Sequence, residues 1–180
     1  MKNIRLKRFI KQGGVIAYPT ESCYGLGCDP LNFKAIKKII RIKKRSRAKN
    51  FIVINSNLAQ LNKLIHPLNK TEKSKLMSKW PGPHTWLVRA SNRCPTWIKN
   101  NSNRIAVRIP HLNNRFSLFT SIDMNITSTS ANRSGQRPIT KYRDACRLFS
   151  RQVKIIKGRI GKNKKPSNIQ DFETEKMMRE

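Results

Sequence analysis

Short apolar runs recur along this chain in alternation with segments whose apolar residues repeat at helical spacing, and that alternation is what most narrows the folds open to it. Val15–Ala17, Phe51–Ile54 and Ile105–Val107 are the clearest runs, and strands are predicted over Gly14–Tyr18, Phe51–Asn55, Thr85–Arg89, Ile105–Ile109 and Val153–Ile156. Between them, Met1–Gln12 reads as an amphipathic helix on Ile4, Leu6, Phe9 and Ile10 that ends at Gly13-Gly14. Asn32 is placed to cap a second helix carrying Phe33, Ile36, Ile39 and Ile40 and closing in Lys43-Lys44-Arg45. Further helical segments are expected over Leu58–Ile65, Lys70–Trp80, Arg115–Ile122 and Tyr142–Phe149. A length of 180 residues suits one α/β domain spanning residues 1–180. The lysine-rich stretch 161–165 is expected to be a mobile loop and the last few residues a loose tail.

Several function classes are excluded by what the chain lacks. No run approaches the roughly 20 apolar residues that span a bilayer, and the basic N-terminus has neither an apolar core nor a cleavage site, so a cytoplasmic protein away from membranes is expected. Cys23, Cys28, Cys94 and Cys146 form no C-x-x-C pair and His66, His84 and His111 complete no zinc spacing, so reduced thiols and no protein-held metal are expected. Between Asp29 and Asp123 Glu72 is the only acid, which leaves little for two-metal or paired-carboxylate chemistry. There is no G-x-x-x-x-G-K-[ST] loop, and Gly25-Leu26-Gly27 lacks the third glycine of a dinucleotide fingerprint. A nucleotide would have to be held by side-chain cations and hydroxyls.

Charge gives such a ligand a reason to bind: 39 Lys plus Arg against 9 Asp plus Glu leave a net +30, which attracts the phosphates of RNA or of nucleotides. A compositional origin competes, because Lys, Asn and Ile are all abundant and share A/T-rich codons. Three segments are candidates to converge on an anion. They are the Lys43/Arg45 cations, Arg108 at the end of its strand, and the hydroxyl-rich loop Thr127–Gly135 that includes Ser128, Ser130 and Asn132. Each has a plainer alternative: a solvated helix end, a surface arginine and an ordinary turn. With Ile105 and Val107 read onto opposite sides of the strand, Arg108 stays open to either placement. The segment from Pro19 through Gly25-Leu26-Gly27 is read as a small polar loop beside a buried strand, where sites usually lie.

Taken together, these motifs resemble the YrdC-like family of L-threonylcarbamoyladenylate synthases over nearly the whole chain. The resemblance is carried by Gly14–Gly27 with Tyr18-Pro19-Thr20-Glu21 inside it, by Lys43-Lys44-Arg45, and by Trp80-Pro81-Gly82-Pro83-His84-Thr85. It continues through Ala106-Val107-Arg108-Ile109-Pro110, Ser128–Gly135 and Pro166-Ser167. It implies a twisted open mixed sheet flanked by helices, with a basic concave face, and the short single-domain form of the family.

The reaction implied joins L-threonine, bicarbonate or CO2, and ATP accompanied by Mg2+ into threonylcarbamoyl-AMP and pyrophosphate. The product would serve threonylcarbamoyladenosine modification of tRNA through a separate tRNA threonylcarbamoyl transferase complex. Carried over by position, Lys43, Arg45, Lys49, Ser130 and Asn132 would hold ATP, with Lys43, Arg45, Ser130 and Asn132 catalytic. Thr20, Ser22, Arg108, Ser128 and Ser167 would hold threonine. Two departures stand out: many relatives have proline where this chain has Ser46, and histidine where it has Ile54. The second reading is a noncatalytic protein on the same scaffold that grips tRNA or double-stranded RNA through its basic face.

Overall fold

The alternation is realised in the computed structural model, which describes residues 2–44, 51–111, 117–162 and 166–179. In chain order the elements are α1 (Ile4–Lys11), β1 (Ile16–Pro19), β2 (Tyr24–Gly27), α2 (Phe33–Lys43), β3 (Ile52–Ile54), α3 (Leu58–Leu61), α4 (Lys70–Met77) and β4 (His84–Arg89). They continue as β5 (Arg104–Arg108), α5 (Ser117–Ile122), β6 (Ile126–Ser130), α6 (Tyr142–Phe149), β7 (Lys154–Ile155), β8 (Asn168–Asp171) and β9 (Met177–Arg179). The strands form one mixed sheet in the order β7-β1-β2-β6-β3-β5-β4-β8-β9. β1–β7, β3–β5 and β4–β8 are parallel, and the other neighbours run antiparallel.

Helix starts follow side-chain chemistry. The Asn3 and Asn32 carboxamides accept the amides of Leu6 and Ala35, each at 3.0 Å; Asn32 opens α2 where the sequence places its cap, whereas α1 opens at Ile4, inside the expected Met1–Gln12. Asn69 and Glu72 form a reciprocal capping box at α4. α1 exits through Gly13 at φ 92°, a left-handed turn that costs glycine little. Of the face expected for the second helix, Ile36 and Ile39 are buried and Ile40 packs partly buried on the core, joined by Ala35, Ile42 and Lys43, while Phe33 is exposed against Trp97 with ring centroids 5.0 Å apart. The helices before Pro81 are also shorter than read, with α3 ending at Leu61 and α4 at Met77.

Two cores sandwich the sheet. Val15, Ala17, Leu26, Val53, Ile105 and Val107 enter the larger one, with α2, α4 and α6 packed on it. Ile105 and Val107 therefore share one face, as residues two apart on a strand must, which corrects the opposite-sides reading and sends Arg104 and Arg108 to the other. Ile16, Tyr18, Ile54 and Ile126 enter the smaller core, under Leu6 and Ile10 of α1 and Phe119 and Ile122 of α5. Each fully buried Ile or Leu stabilises the fold by about 1.5–3 kcal/mol before conformational entropy is charged against it.

Two segments read as loops are strands. Tyr24–Gly27 pairs with β1 on one side and β6 on the other, and the expected loose tail folds back as β9 against β8. Of the stretch 161–165 expected to be a mobile loop, Gly161 donates its amide to Thr20 O at 2.9 Å, and residues 163–165 lie outside the described residues. No helix among the described residues is long and apolar enough to cross a membrane.

Candidate active site

Along β6 the side chains on one face run Ile126, Ser128, Ser130. The first lies in the core beneath α1 and α5, and the next two lie beyond it. β1 makes the same change from Ile16 through Tyr18, and β2 contributes Gly25 there. The sheet face left uncovered is the floor of a cavity of about 310 Å³, of the size that takes a small ligand. Thr20, Ser128, Ser130 and Ser167 put hydroxyls around it, Ile52, Ile54 and Phe119 an apolar wall, and Arg108 and Arg179 the positive charge. A Cβ on Gly25 would come within 3.1 Å of Thr20 Cγ2 and 3.2 Å of the Tyr18 ring, so glycine keeps the floor open.

Arg108 is held from two sides. Its Nε donates to Gly82 O at 2.8 Å and its Nη2 pairs with Glu21 Oε1, with the two side chains 12% and 15% exposed. Burial pulls the arginine's pKa down while the Glu21 charge pulls it back up. Arg179 reaches in from β9, donating Nε and Nη2 to Ser167 O at 3.1 and 2.6 Å. Its pKa is lowered by burial and then by the charge of Arg108, so the two guanidiniums feel one another. Both line the cavity and give it positive charge suited to an anion. Tyr18 donates to Ser128 Oγ at 2.7 Å, which leaves the serine proton for a ligand, and burial pushes the Tyr18 phenol well above its usual range.

Lys43 does something other than face the cavity. It is 2% exposed, and its ammonium donates to Ser130 O, to Asn132 O at 2.8 Å and to Asn132 Oδ1 at 3.2 Å. Ser130 Oγ in turn donates to Asn132 Oδ1 at 2.5 Å, and Asn132 Nδ2 donates to Gln136 O at 2.6 Å. Burying an ammonium is costly unless oxygens surround it. Here the oxygens belong to Ser130 and Asn132 at the end of β6.

Of the predicted residues, Thr20, Arg108, Ser128, Ser130 and Ser167 are brought together around the cavity. Lys43 and Asn132 stand behind Ser130, and Ser22 sits half-buried with its hydroxyl 3.9 Å from Cys23 Sγ, outside the lining. Arg45, Lys49 and Ser46 lie outside the described residues. Ile54, at the position of the departed histidine, lines the cavity next to Arg108 on the neighbouring strand. The prediction missed Tyr18, Glu21 and Arg179. The first two stood inside the quoted motif, whereas Arg179 is found only by pairing the final segment into the sheet. Among the described residues, no group of three His, Cys, Asp or Glu side chains is set to hold a metal ion.

Against known proteins, the family model described as "Telomere recombination", Sua5/YciO/YrdC, matches residues 8–180. A threonylcarbamoyl-AMP synthase from Methylobacillus flagellatus is 45% identical, covering 99% of each chain. The structure of Sua5 from P. abyssi complexed with L-threonine superposes at a TM-score of 0.82 with 28% identity, over 93% of this chain and 49% of that one, so this chain spans about half the length of Sua5. E. coli YciO has the same fold, at a TM-score of 0.83 and 24% identity over 98% of this chain and 87% of that one. The family model and a relative matched over nearly its whole length agree, and this chain belongs to the Sua5/YciO/YrdC family.

Proposed function

We propose that the cavity is where this chain, as a threonylcarbamoyl-AMP synthase, assembles L-threonine, bicarbonate or CO2 and Mg–ATP into threonylcarbamoyl-AMP and pyrophosphate. The observation that carries the reading is the meeting of two guanidiniums, Arg108 and Arg179, with the hydroxyls of Thr20, Ser128, Ser130 and Ser167 around one cavity. It suits two anions, an amino-acid carboxylate and a polyphosphate, brought close together. The full-length relatives named threonylcarbamoyl-AMP synthase support the same activity.

In this reading Arg108 receives the threonine carboxylate through its fork, while Thr20, Ser128 and Ser167 surround the rest of the amino acid. Ser22, outside the lining, stays a proposed threonine contact that requires its loop to turn. Ile52, Ile54 and Phe119 offer the threonine methyl an apolar wall, where a histidine would have offered a polar one. Ser130 and Arg179 face the phosphates, with Lys43 and Asn132 behind Ser130. Arg45 and Lys49 remain proposed phosphate contacts on the resemblance. Adenylyl transfer develops charge on phosphate oxygens, so fixed cations and hydroxyl donors do most of the catalysis. Mg2+ enters with ATP as part of the substrate.

The product is a reactive mixed anhydride, and its proposed consumer is a separate tRNA threonylcarbamoyl transferase complex, with tRNA contact through the +30 surface as a further proposal. Four free cysteines accord with the reducing cytoplasm. The test is pyrophosphate release from Mg–ATP with threonine and bicarbonate each supplied or omitted, followed by mass detection of threonylcarbamoyl-AMP. Release that requires both is expected. Release that needs neither, or none from folded protein that binds RNA tightly, overturns the reading.

A further inference from the structure

Making a carbamate requires that an ammonium lose its proton, and the hydroxyls around the cavity cannot take one at neutral pH. Tyr18 and Cys23, which also line it, have their pKa values pushed up by burial and stay protonated. Among the described residues the lining holds one carboxylate, Glu21, in a chain with 9 acids in all. One of its oxygens accepts from Arg108 Nη2, and among the described residues the other, Oε2, makes no hydrogen bond. The loop that carries it is fixed: Thr20 Oγ1 and Thr20 N both donate to Cys23 O at 2.8 Å, and Gly161 N donates to Thr20 O at 2.9 Å. Gly161 lies so close that a Cβ there would stand 2.6 Å from Glu21 O.

Glu21 and Arg108 touch, so a zwitterionic amino acid whose carboxylate docks on Arg108 sets its ammonium beside Glu21. Resting on the synthase reading above, we propose that Glu21 is the general base of the carbamate-forming half of the reaction. The ammonium N–H bond breaks, its proton goes to Glu21 Oε2, and the electron pair stays on nitrogen. That pair forms the N–C bond to CO2 while one C=O π pair moves onto oxygen. The new nitrogen sheds its second proton to water. Two protons are thus released per carbamate, and one is consumed where CO2 arises from bicarbonate by loss of water. Glu21 then returns its proton to solvent and resumes its pair with Arg108. The adenylyl step that follows, carbamate oxygen on the α-phosphate with pyrophosphate leaving, makes no use of Glu21.

That division makes the inference testable with Glu21→Gln. Forward synthesis from threonine, bicarbonate and Mg–ATP is expected to fall about 100- to 10,000-fold, the span of a lost general base. The reverse half-reaction, ATP formation from synthetic threonylcarbamoyl-AMP and Mg-pyrophosphate, feels only the change beside Arg108 and is expected to fall at least about tenfold less than the forward rate. Glu21→Asp, which keeps a carboxylate one methylene short, is expected to restore part of the forward rate relative to Glu21→Gln without a matching gain in the reverse rate. A forward rate within threefold of the parent in Glu21→Gln overturns the assignment. So does an equal fall of both directions in both variants, because Glu21 would then serve only to hold Arg108. Parent protein that makes no threonylcarbamoyl-AMP would unseat the synthase reading itself, a result distinct from either.

Discussion

Lys43 and Arg108 are both cations near one site, yet geometry gives them opposite duties. Lys43 spends its ammonium on Ser130 and Asn132 inside the protein, so Lys43→Met strands buried carbonyl oxygens, at about 1–3 kcal/mol for each group left unpaired. The expected outcome is a lower melting temperature together with a weaker apparent ATP affinity, seen by thermal denaturation and by KM for ATP. Arg108 lines the cavity, with its Nε on Gly82 O and its Nη2 on Glu21. Arg108→Lys keeps the charge and loses the planar fork proposed to take the threonine carboxylate, and kcat/KM for threonine is expected to drop by about 2–4 kcal/mol, roughly 30- to 1,000-fold, with KM for ATP little changed. Equal losses for both substrates would place Arg108 elsewhere in the reaction. Arg108 was legible in the sequence as a member of a motif. The inward turn of Lys43 was not, because a Lys-Lys-Arg at a helix end looks the same whether its first member is solvated or buried.

The hairpin of β8 and β9 brings Ser167 and Arg179 to the cavity, and ion pairs hold it. Arg104 on β5 binds Asp171 and, at 2.6 Å, Glu173, while Lys75 on α4 reaches Glu175 at 2.5 Å and Phe172 O at 3.1 Å. Burial pushes the Asp171 carboxyl up, but the Thr174 amide and the Arg104 guanidinium outweigh it and leave its pKa below the ordinary value. A carboxyl lowered in the folded state stabilises fully above its unfolded pKa of about 4 and loses that contribution as pH falls through the folded value. Stability measured by urea denaturation is therefore expected to decline below about pH 4, and Asp171→Asn to flatten that decline while lowering stability at neutral pH. A parent and variant with the same acid slope would remove Asp171 from the account. The element itself was not legible. Polar residues with several charges near a chain end give no strand periodicity, and their pairing partner lies some eighty residues earlier, in β4. β2 was hidden for another reason: Gly25 and Gly27 carry no side chain to alternate, yet Gly27 must be glycine, since a Cβ would fall 2.5 Å from Thr127 O.

Across the whole molecule, the sequence disclosed the class of fold and most of the polar residues around the cavity, because apolar alternation and the resemblance both speak for long stretches of chain. It did not disclose which sheet face stays open, since that depends on where α1 and α5 stop covering the strands. The +30 charge belongs to this scale as well. Any RNA contact it makes is expected to weaken as salt rises, with log K falling about 0.7–0.9 per phosphate for each unit of log salt, whereas threonine-dependent turnover should lack that steepness.

Thr20, Arg108, Ser128 and Arg179 meet only after strands far apart in the chain have paired, β1 with β7 and β2 with β6 among them. Contacts of such long range form late and slowly in folding. No nascent half of the protein can hold its substrates, and a bound ligand reports on the complete sheet alone. Saturating nucleotide at about 100 times its Kd should add about 2.7 kcal/mol to one cooperative unfolding transition, leaving no separately stabilised fragment behind.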